Sequence, residues 1–370
     1  GRCGGRGPAL ARAPQRREGR AMARLAVIGT GAWGTTLALM TAAHRAATGG
    51  AAVTLWEHEP ARAAAMRAAR ENVTFLPGYP FPPTLAVTAD LAEAVAGCDV
   101  VLVVTPAQRT RAALAALRPH LAPGAAIVCA SKGLELRTHL RMTQIAAEEL
   151  GAAVGITALS GPNLAAEIAR GLPAAAVVAG EDEAVTERVR EALATPRLRL
   201  YTTHDVVGVE LGGALKNIIA LGVGISDGLG YGDNAKASIM TRGLAEMARL
   251  ALAAQANPMT LAGLAGLGDL IATCSSPLSR NRTLGLELAK GRQLQDVLAE
   301  RHSVAEGVTT TRAALELAQA LGVDLPITAQ LAQVLFAGKD VRQVVSELME
   351  RDPKHELEGM PPGPGEGQEE

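Results

Sequence analysis

Between residues 24 and 203, short and nearly unbroken apolar runs alternate with longer stretches whose apolar positions recur every three or four residues. LAVIG (25–29), AVTLW (52–56), DVVLVV (99–104), AAIVCA (125–130), ITALS (156–160), AAAVVAG (174–180) and LRLYTT (198–203) read as strands. Strands without polar alternation are buried on both faces, so this part predicts an α/β, Rossmann-like fold with a mostly parallel sheet between layers of helix. From Asp205 onward the strand pattern vanishes. ELGGALKNIIALGVG, ASIMTRGLAEMARLALAA, TTTRAALELAQALG and ITAQLAQVLFAG keep helical spacing and end at Gly or Pro, which predicts an all-α C-terminal domain. The expected organisation is a disordered leader at 1–22, a dinucleotide-binding domain at 23–204, a helical substrate domain at 205–350 and a disordered tail at 351–370. The leader lacks the apolar core of a secretory signal. A transit peptide is the alternative reading, as is sequence upstream of a start at Met22.

Composition narrows the function. Formal net charge is −1, so neither nucleic acid nor a membrane surface is an expected partner, and no apolar run is expected to span a bilayer. Four scattered cysteines (3, 98, 129, 274) without a CxxC pair suit reduced thiols in a cytoplasmic protein. A small-molecule substrate is expected, no metal site is, and a homodimer is the expected assembly.

Gly29-Thr30-Gly31-Ala32-Trp33-Gly34 follows the first strand directly and opens a helical stretch. In that context GxGxxG is a dinucleotide fingerprint: Gly29 for the turn, Gly31 for approach of the pyrophosphate, Gly34 for helix–sheet packing. The second strand ends in Glu57-His58. An acidic residue there bonds a ribose hydroxyl and favours NAD, whereas a cation tolerates the phosphate of NADP. With one of each present, the choice between NAD(H) and NADP(H) stays open. VVTPA (103–107), ASKGL (130–134) and LSGPN (159–163) follow later strands, at the edge where such sheets bind ligands. Lys132 in the second of these loops can reach a phosphate or polarise a carbonyl.

Lys216 is the anomaly of the helical half, set among Gly212, Gly213, Ala214, Leu215, Ile218 and Ile219. The chain has only six lysines among its 36 Lys and Arg residues, and lysine, unlike arginine, can give up a proton. Its neighbours one turn away, Gly212, Gly213 and Ala220, are small. Glycine costs a helix about 1 kcal/mol against alanine, so the pair suggests close approach of a ligand or of another backbone. The alternative is tight helix packing with the lysine extending to solvent.

Nine segments in order, GTGAWG, NVTFLPG (72–78), ASKGLE, SGPNLAAE, LGGALKN, TRGLAEM, GLAGLGDLIATC (263–274), SRNR (279–282) and VAEG (304–307), closely resemble the soluble NAD(P)-dependent sn-glycerol-3-phosphate dehydrogenases of bacterial type. The resemblance covers roughly 23–350 and implies interconversion of dihydroxyacetone phosphate and sn-glycerol 3-phosphate, used to supply glycerol 3-phosphate for phospholipids. It implies that Lys216 is the proton donor and acceptor, with Asp269 and Lys132 as further catalytic residues. Substrate contacts fall on Lys132, Gly161, Asn163, Lys216, Asn217, Asp269, Thr273, Ser279, Arg280 and Asn281. Cofactor contacts fall on Gly29, Gly31, Ala32, Trp33, Gly34, Glu57, His58, Pro106, Lys132, Ala165, Arg280, Val304 and Glu306. Asn163 departs from the usual hydroxyl residue, and Glu57 from a usually small one. A hydroxyacid or 6-phosphogluconate-type dehydrogenase and a non-catalytic dinucleotide sensor are the alternatives. Both fit the motifs less well.

Overall fold

The computed structural model describes residues 23–300 and 305–350, with Asp352 and Glu356; the expected leader and nearly all of the expected tail lie outside them. Eight strands form one sheet: β1 (Leu25–Ile28), β2 (Val53–Trp56), β3 (Leu85–Thr88), β4 (Val100–Val103), β5 (Ala126–Cys129), β6 (Gly155–Ser160), β7 (Ala174–Ala179) and β8 (Leu198–Thr203). Their order is β3-β2-β1-β4-β5-β6-β7-β8. Pairing is parallel throughout except between β6 and β7, so the last two strands run against the rest. β1, β4 and β5 are buried at every position, as unbroken apolar runs between two helical layers must be.

Two features depart from the sequence reading. β3 was not expected: LAVT is only four residues long, lies at the sheet edge and leads at once into the helix Leu91–Val95. The reversal at β7 was not expected either, because strand direction leaves no mark on an apolar run.

After Thr203 only helices follow among the described residues. The first, Val206–Leu229, is started by Asp205, whose carboxylate accepts from the Gly208 amide at 2.9 Å, and stopped by Gly230 in the left-handed region. This 24-residue helix is long and apolar enough to cross a bilayer, contrary to the expectation from sequence. The reason is its position: 83% of its most apolar stretch is buried inside the protein, where it forms the axis of the helical core. Two glycines let a neighbour lie against it. A Cβ at Gly224 would overlap the backbone of Arg282, and one at Gly285 would overlap the carbonyl of Leu221. The helix Arg280–Ala289 therefore packs backbone to backbone on the axis.

Candidate active site

The glycine loop has the shape a dinucleotide needs. Gly29 has φ +118°, and a Cβ on it would stand 2.8 Å from the Val104 carbonyl. A Cβ on Gly34 would overlap the Gly29 carbonyl, so the helix Ala32–Thr48 rests directly on the turn. At Gly31 a Cβ would meet nothing within 4 Å. Gly31 is the N-cap of that helix and offers no side-chain cap, so open space lies over unpaired amides, an anion site in form. Trp33, the next residue but one, keeps a buried indole N–H with no protein partner. Ala165 closes the loop from the other side, its carbonyl accepting from Thr36 Oγ1 at 3.2 Å.

Glu57 stands apart. Expected to meet the ribose, its side chain is instead fully buried beneath the loop, with the carboxylate turned inward to Thr30 Oγ1, Arg62, the Glu59 amide and His58 Nδ1. Burial alone would raise its pKa, but the donors from Arg62, Thr30 and Glu59 outweigh burial and hold it below the ordinary carboxylate range. His58 remains exposed at the loop edge.

The centre of the site joins the two halves. Lys216 projects from the axial helix and donates to Asp269 Oδ1 at 2.6 Å and to Thr273 Oγ1 at 2.6 Å. Lys132, from the loop after β5, donates to Asp269 Oδ2 at 2.7 Å and to the Gly161 carbonyl at 2.8 Å. One carboxylate thus bridges two ammonium groups. Asp269 is 1% exposed and Lys216 7%, so the partner that burial of Lys216 demands is this carboxylate. Burial is the largest influence on Lys216; with Lys132 it outweighs Asp269 and lowers the lysine to about 8.

The backbone explains how Asp269 arrives there. The turn Leu264–Gly268 is a wide π turn, closed by a Gly268 amide to Gly263 carbonyl bond, and Asp269 opens the next helix, Asp269–Ser275. The turn lies on Gly212, where a Cβ would come 2.7 Å from the Ala265 carbonyl. At Gly213 a Cβ would come 2.5 Å from Ser160 Oγ and 3.5 Å from Lys132 Cγ. The sequence left open whether a ligand or a backbone approaches these glycines. A backbone approaches Gly212, and side chains from the end of β6 and from the loop after β5 approach Gly213.

A second chain of contacts runs from Asn217 to the far end of the cleft. Asn281 Nδ2 donates to Asn217 Oδ1 at 2.9 Å, and the Gly307 amide donates to Asn281 Oδ1 at 3.0 Å. Ser279 caps the helix Arg280–Ala289, accepting from the Arg282 amide, and Arg280 is exposed at its first position. A helix N-terminus carrying an arginine is suited to a phosphate. Glu306 reaches from the helix Glu306–Ala320 to the Ala107 amide beside Pro106, at 3.1 Å. Burial raises its pKa against the pull of that amide and of Arg280, and its second oxygen is buried without a partner. Both amide atoms of Asn163 are likewise buried and unpartnered, as polar groups waiting for a ligand would be. Val304 lies outside the described residues.

Sequence reasoning gave no role to Asn72, although it stands in the quoted NVTFLPG segment. It is buried, and its amide donates at 2.8 Å both to the Thr30 carbonyl and to Thr35 Oγ1, bracing the glycine loop. Arg62 was also missed, because the partner that defines it is the buried Glu57.

Comparison with known proteins agrees with this geometry. Residues 24–186 match the family model for the NAD-dependent glycerol-3-phosphate dehydrogenase N-terminus, and residues 205–346 the model for its C-terminus. A glycerol-3-phosphate dehydrogenase [NAD(P)+] of Geobacter metallireducens is 50% identical over 335 residues, 90% of this chain and 98% of the relative. One from Streptomyces coelicolor is 48% identical over 336 residues, 90% of this chain and 98% of the relative. The crystal structure of glycerol-3-phosphate dehydrogenase from Coxiella burnetii superposes with a TM-score of 0.84 at 38% identity, covering 89% of this chain and 99% of that one. With both halves of the fold, the loop and the bridged lysines in place, the chain belongs to the NAD-dependent glycerol-3-phosphate dehydrogenase family.

Proposed function

We propose that the chain interconverts dihydroxyacetone phosphate and sn-glycerol 3-phosphate with an NAD(P) cofactor, Lys216 moving the proton. The observation that carries this reading is the Lys132–Asp269–Lys216 bridge, a buried lysine held by a carboxylate at the junction of a dinucleotide loop and a helical core. When bound, the nicotinamide supplies or accepts the hydride. Hydride arriving at a ketone leaves an alkoxide, which needs a proton at the same oxygen. Lys216, lowered to about 8, is acidic enough to give that proton and basic enough to take it back near neutral pH. Thr273 and Asp269 hold the ammonium in one position. Lys132 faces the same carboxylate and supplies a second positive charge for the developing alkoxide.

Ser279, Arg280 and the helix N-terminus they open are assigned to the substrate phosphate, with Asn281 and Asn217 setting their distance from Lys216. Gly31, Ala32, Trp33, Ala165, Pro106 and Glu306 are assigned to the cofactor, and Asn163, whose amide is buried and unpartnered, to the substrate. A cytoplasmic homodimer supplying glycerol 3-phosphate for phospholipids completes the reading. The test is NADH and NADPH oxidation with dihydroxyacetone phosphate, using lactaldehyde and 3-oxo acids as controls. Turnover confined to the phosphate substrate supports it, and no turnover with that substrate sinks it. Lys216→Ala should lower kcat by about 10²–10⁴-fold. Near-full activity in that variant removes the lysine from the mechanism.

A further inference from the structure

The cations at the C-terminal end of β2 are His58 and Arg62, and this is where a Rossmann-like sheet receives the adenosine ribose. Both are held from below. Glu57 Oε1 lies 2.9 Å from Arg62 Nη2 and 2.8 Å from His58 Nδ1. Arg62 Nη1 turns to Glu59 Oε2 at 3.1 Å, its guanidinium lies over the Phe75 ring at 5.6 Å, and its Nε is buried. Both terminal nitrogens of Arg62 are therefore spent on carboxylates of this chain. Glu57 itself is fully buried and its second oxygen accepts from Thr30, so it cannot turn outward to a ribose hydroxyl without breaking the glycine loop's own support. Around the ribose position two carboxylates, Glu57 and Glu59, oppose one arginine and one histidine.

We propose that Glu57 makes the site selective for NAD(H) over NADP(H), acting indirectly as a positioning residue that holds Arg62 and His58 away from a 2′-phosphate. The inference rests on the nucleotide reading of the glycine loop and deepens it. A 2′-phosphate brings up to two negative charges beside two carboxylates whose counter-ions are already engaged, and like charges placed together at a binding surface are strongly unfavourable. NAD(H) leaves a neutral hydroxyl there, which meets no such repulsion.

Dissociation constants for NADH and NADPH, measured by fluorescence titration of the purified chain without substrate, test this directly. The wild-type chain should bind NADH at least about tenfold more tightly than NADPH. Glu57→Ser should narrow that ratio at least about fivefold, chiefly through tighter NADPH binding as Arg62 is released. Arg62→Ala added to Glu57→Ser should abolish the gain. Glu57→Gln, which keeps the side-chain shape and removes the charge, should narrow the ratio too, and it decides the matter if the serine variant does not fold. Because the ratio is taken on the folded protein, a loss of stability alone does not move it. Equal binding of the two nucleotides, tighter binding of NADPH, or an unchanged ratio in the folded Glu57 variant overturns the proposal. Absence of binding by both nucleotides overturns the nucleotide reading and this proposal together, whereas equal binding overturns the selectivity alone.

Discussion

Lys216 is under opposing influences, and their balance is open to experiment. Burial and the nearby charge of Lys132 favour the neutral amine, while Asp269 favours the ammonium. Removing one neighbour at a time should move the pH profile in opposite directions. Lys132→Met takes away a repelling charge, so the apparent pKa controlling kcat should rise above about 8. Asp269→Asn takes away an attracting one, so it should fall; each shift should be about one pH unit or more. Profiles of kcat against pH in both reaction directions check this, and shifts of the same sign would contradict the arrangement. At this scale the sequence was legible where a residue looked misplaced or stood in a motif. Lys216 announced itself as a charge among apolar neighbours, and Asp269, Thr273 and Arg280 came with their segments. The direction of the lysine's pKa shift was not legible, because it depends on which opposing neighbours fold brings within reach. Glu57 was misread for a related reason: its position in the chain is that of a ribose ligand, but Thr30 and Arg62 draw it inward.

Helices meet here through missing side chains. Gly285→Ala would drive a methyl group into the Leu221 carbonyl on the axial helix. Alanine's gain in helix propensity is about 1 kcal/mol, smaller than the roughly 1–3 kcal/mol or more that overpacking costs, so the variant should melt several degrees lower. An unchanged or higher melting temperature in calorimetry would show that the helices can separate at no cost. Glu246 supports a second junction, accepting from the Ile327 and Thr328 amides and from Thr328 Oγ1 at the start of the helix Pro326–Ala337, whose own N-cap supplies no side-chain bond. Burial outweighs those bonds and pushes its carboxyl from 4.5 up to about 7. The folded chain therefore keeps this proton after the unfolded chain has released it. Stability from this group falls as pH rises from about 4.5 to 7 and is constant above, by an amount on the order of 3 kcal/mol. Glu246→Gln should flatten the melting temperature over that interval, and a slope as steep as wild type would assign it to other groups. Element identity was largely readable from period and stop signals. The four-residue β3, the antiparallel entry of β7 and the π turn before Asp269 were not, since each is imposed by neighbours and none by local pattern.

The two halves are joined at several places by groups distant in sequence. Lys132 and Asp269 are 137 positions apart, Ala107 and Glu306 199, and Thr143 and Glu210 67. The change from strands to helices near residue 204 was visible in the hydrophobic pattern, but which loops face which helix was not, because no local signal spans such separations. The axial helix has a consequence before any of these contacts exist. While the chain is being made, Val206–Leu229 is a 24-residue segment whose most apolar 18-residue stretch has a mean hydropathy of 1.6, comparable to a membrane anchor. Lys216 lies near its middle, and an ammonium at the centre of a bilayer costs about 2.5–3.5 kcal/mol on insertion scales. The lysine proposed to move the proton therefore also biases the newborn helix away from lipid and toward the neighbours that will cover it. Lys216→Leu should send a larger share of freshly synthesised chain to the membrane pellet than Lys216→Arg does, although both lose catalysis. Equal partitioning of the two variants would confine the lysine's importance to the finished enzyme.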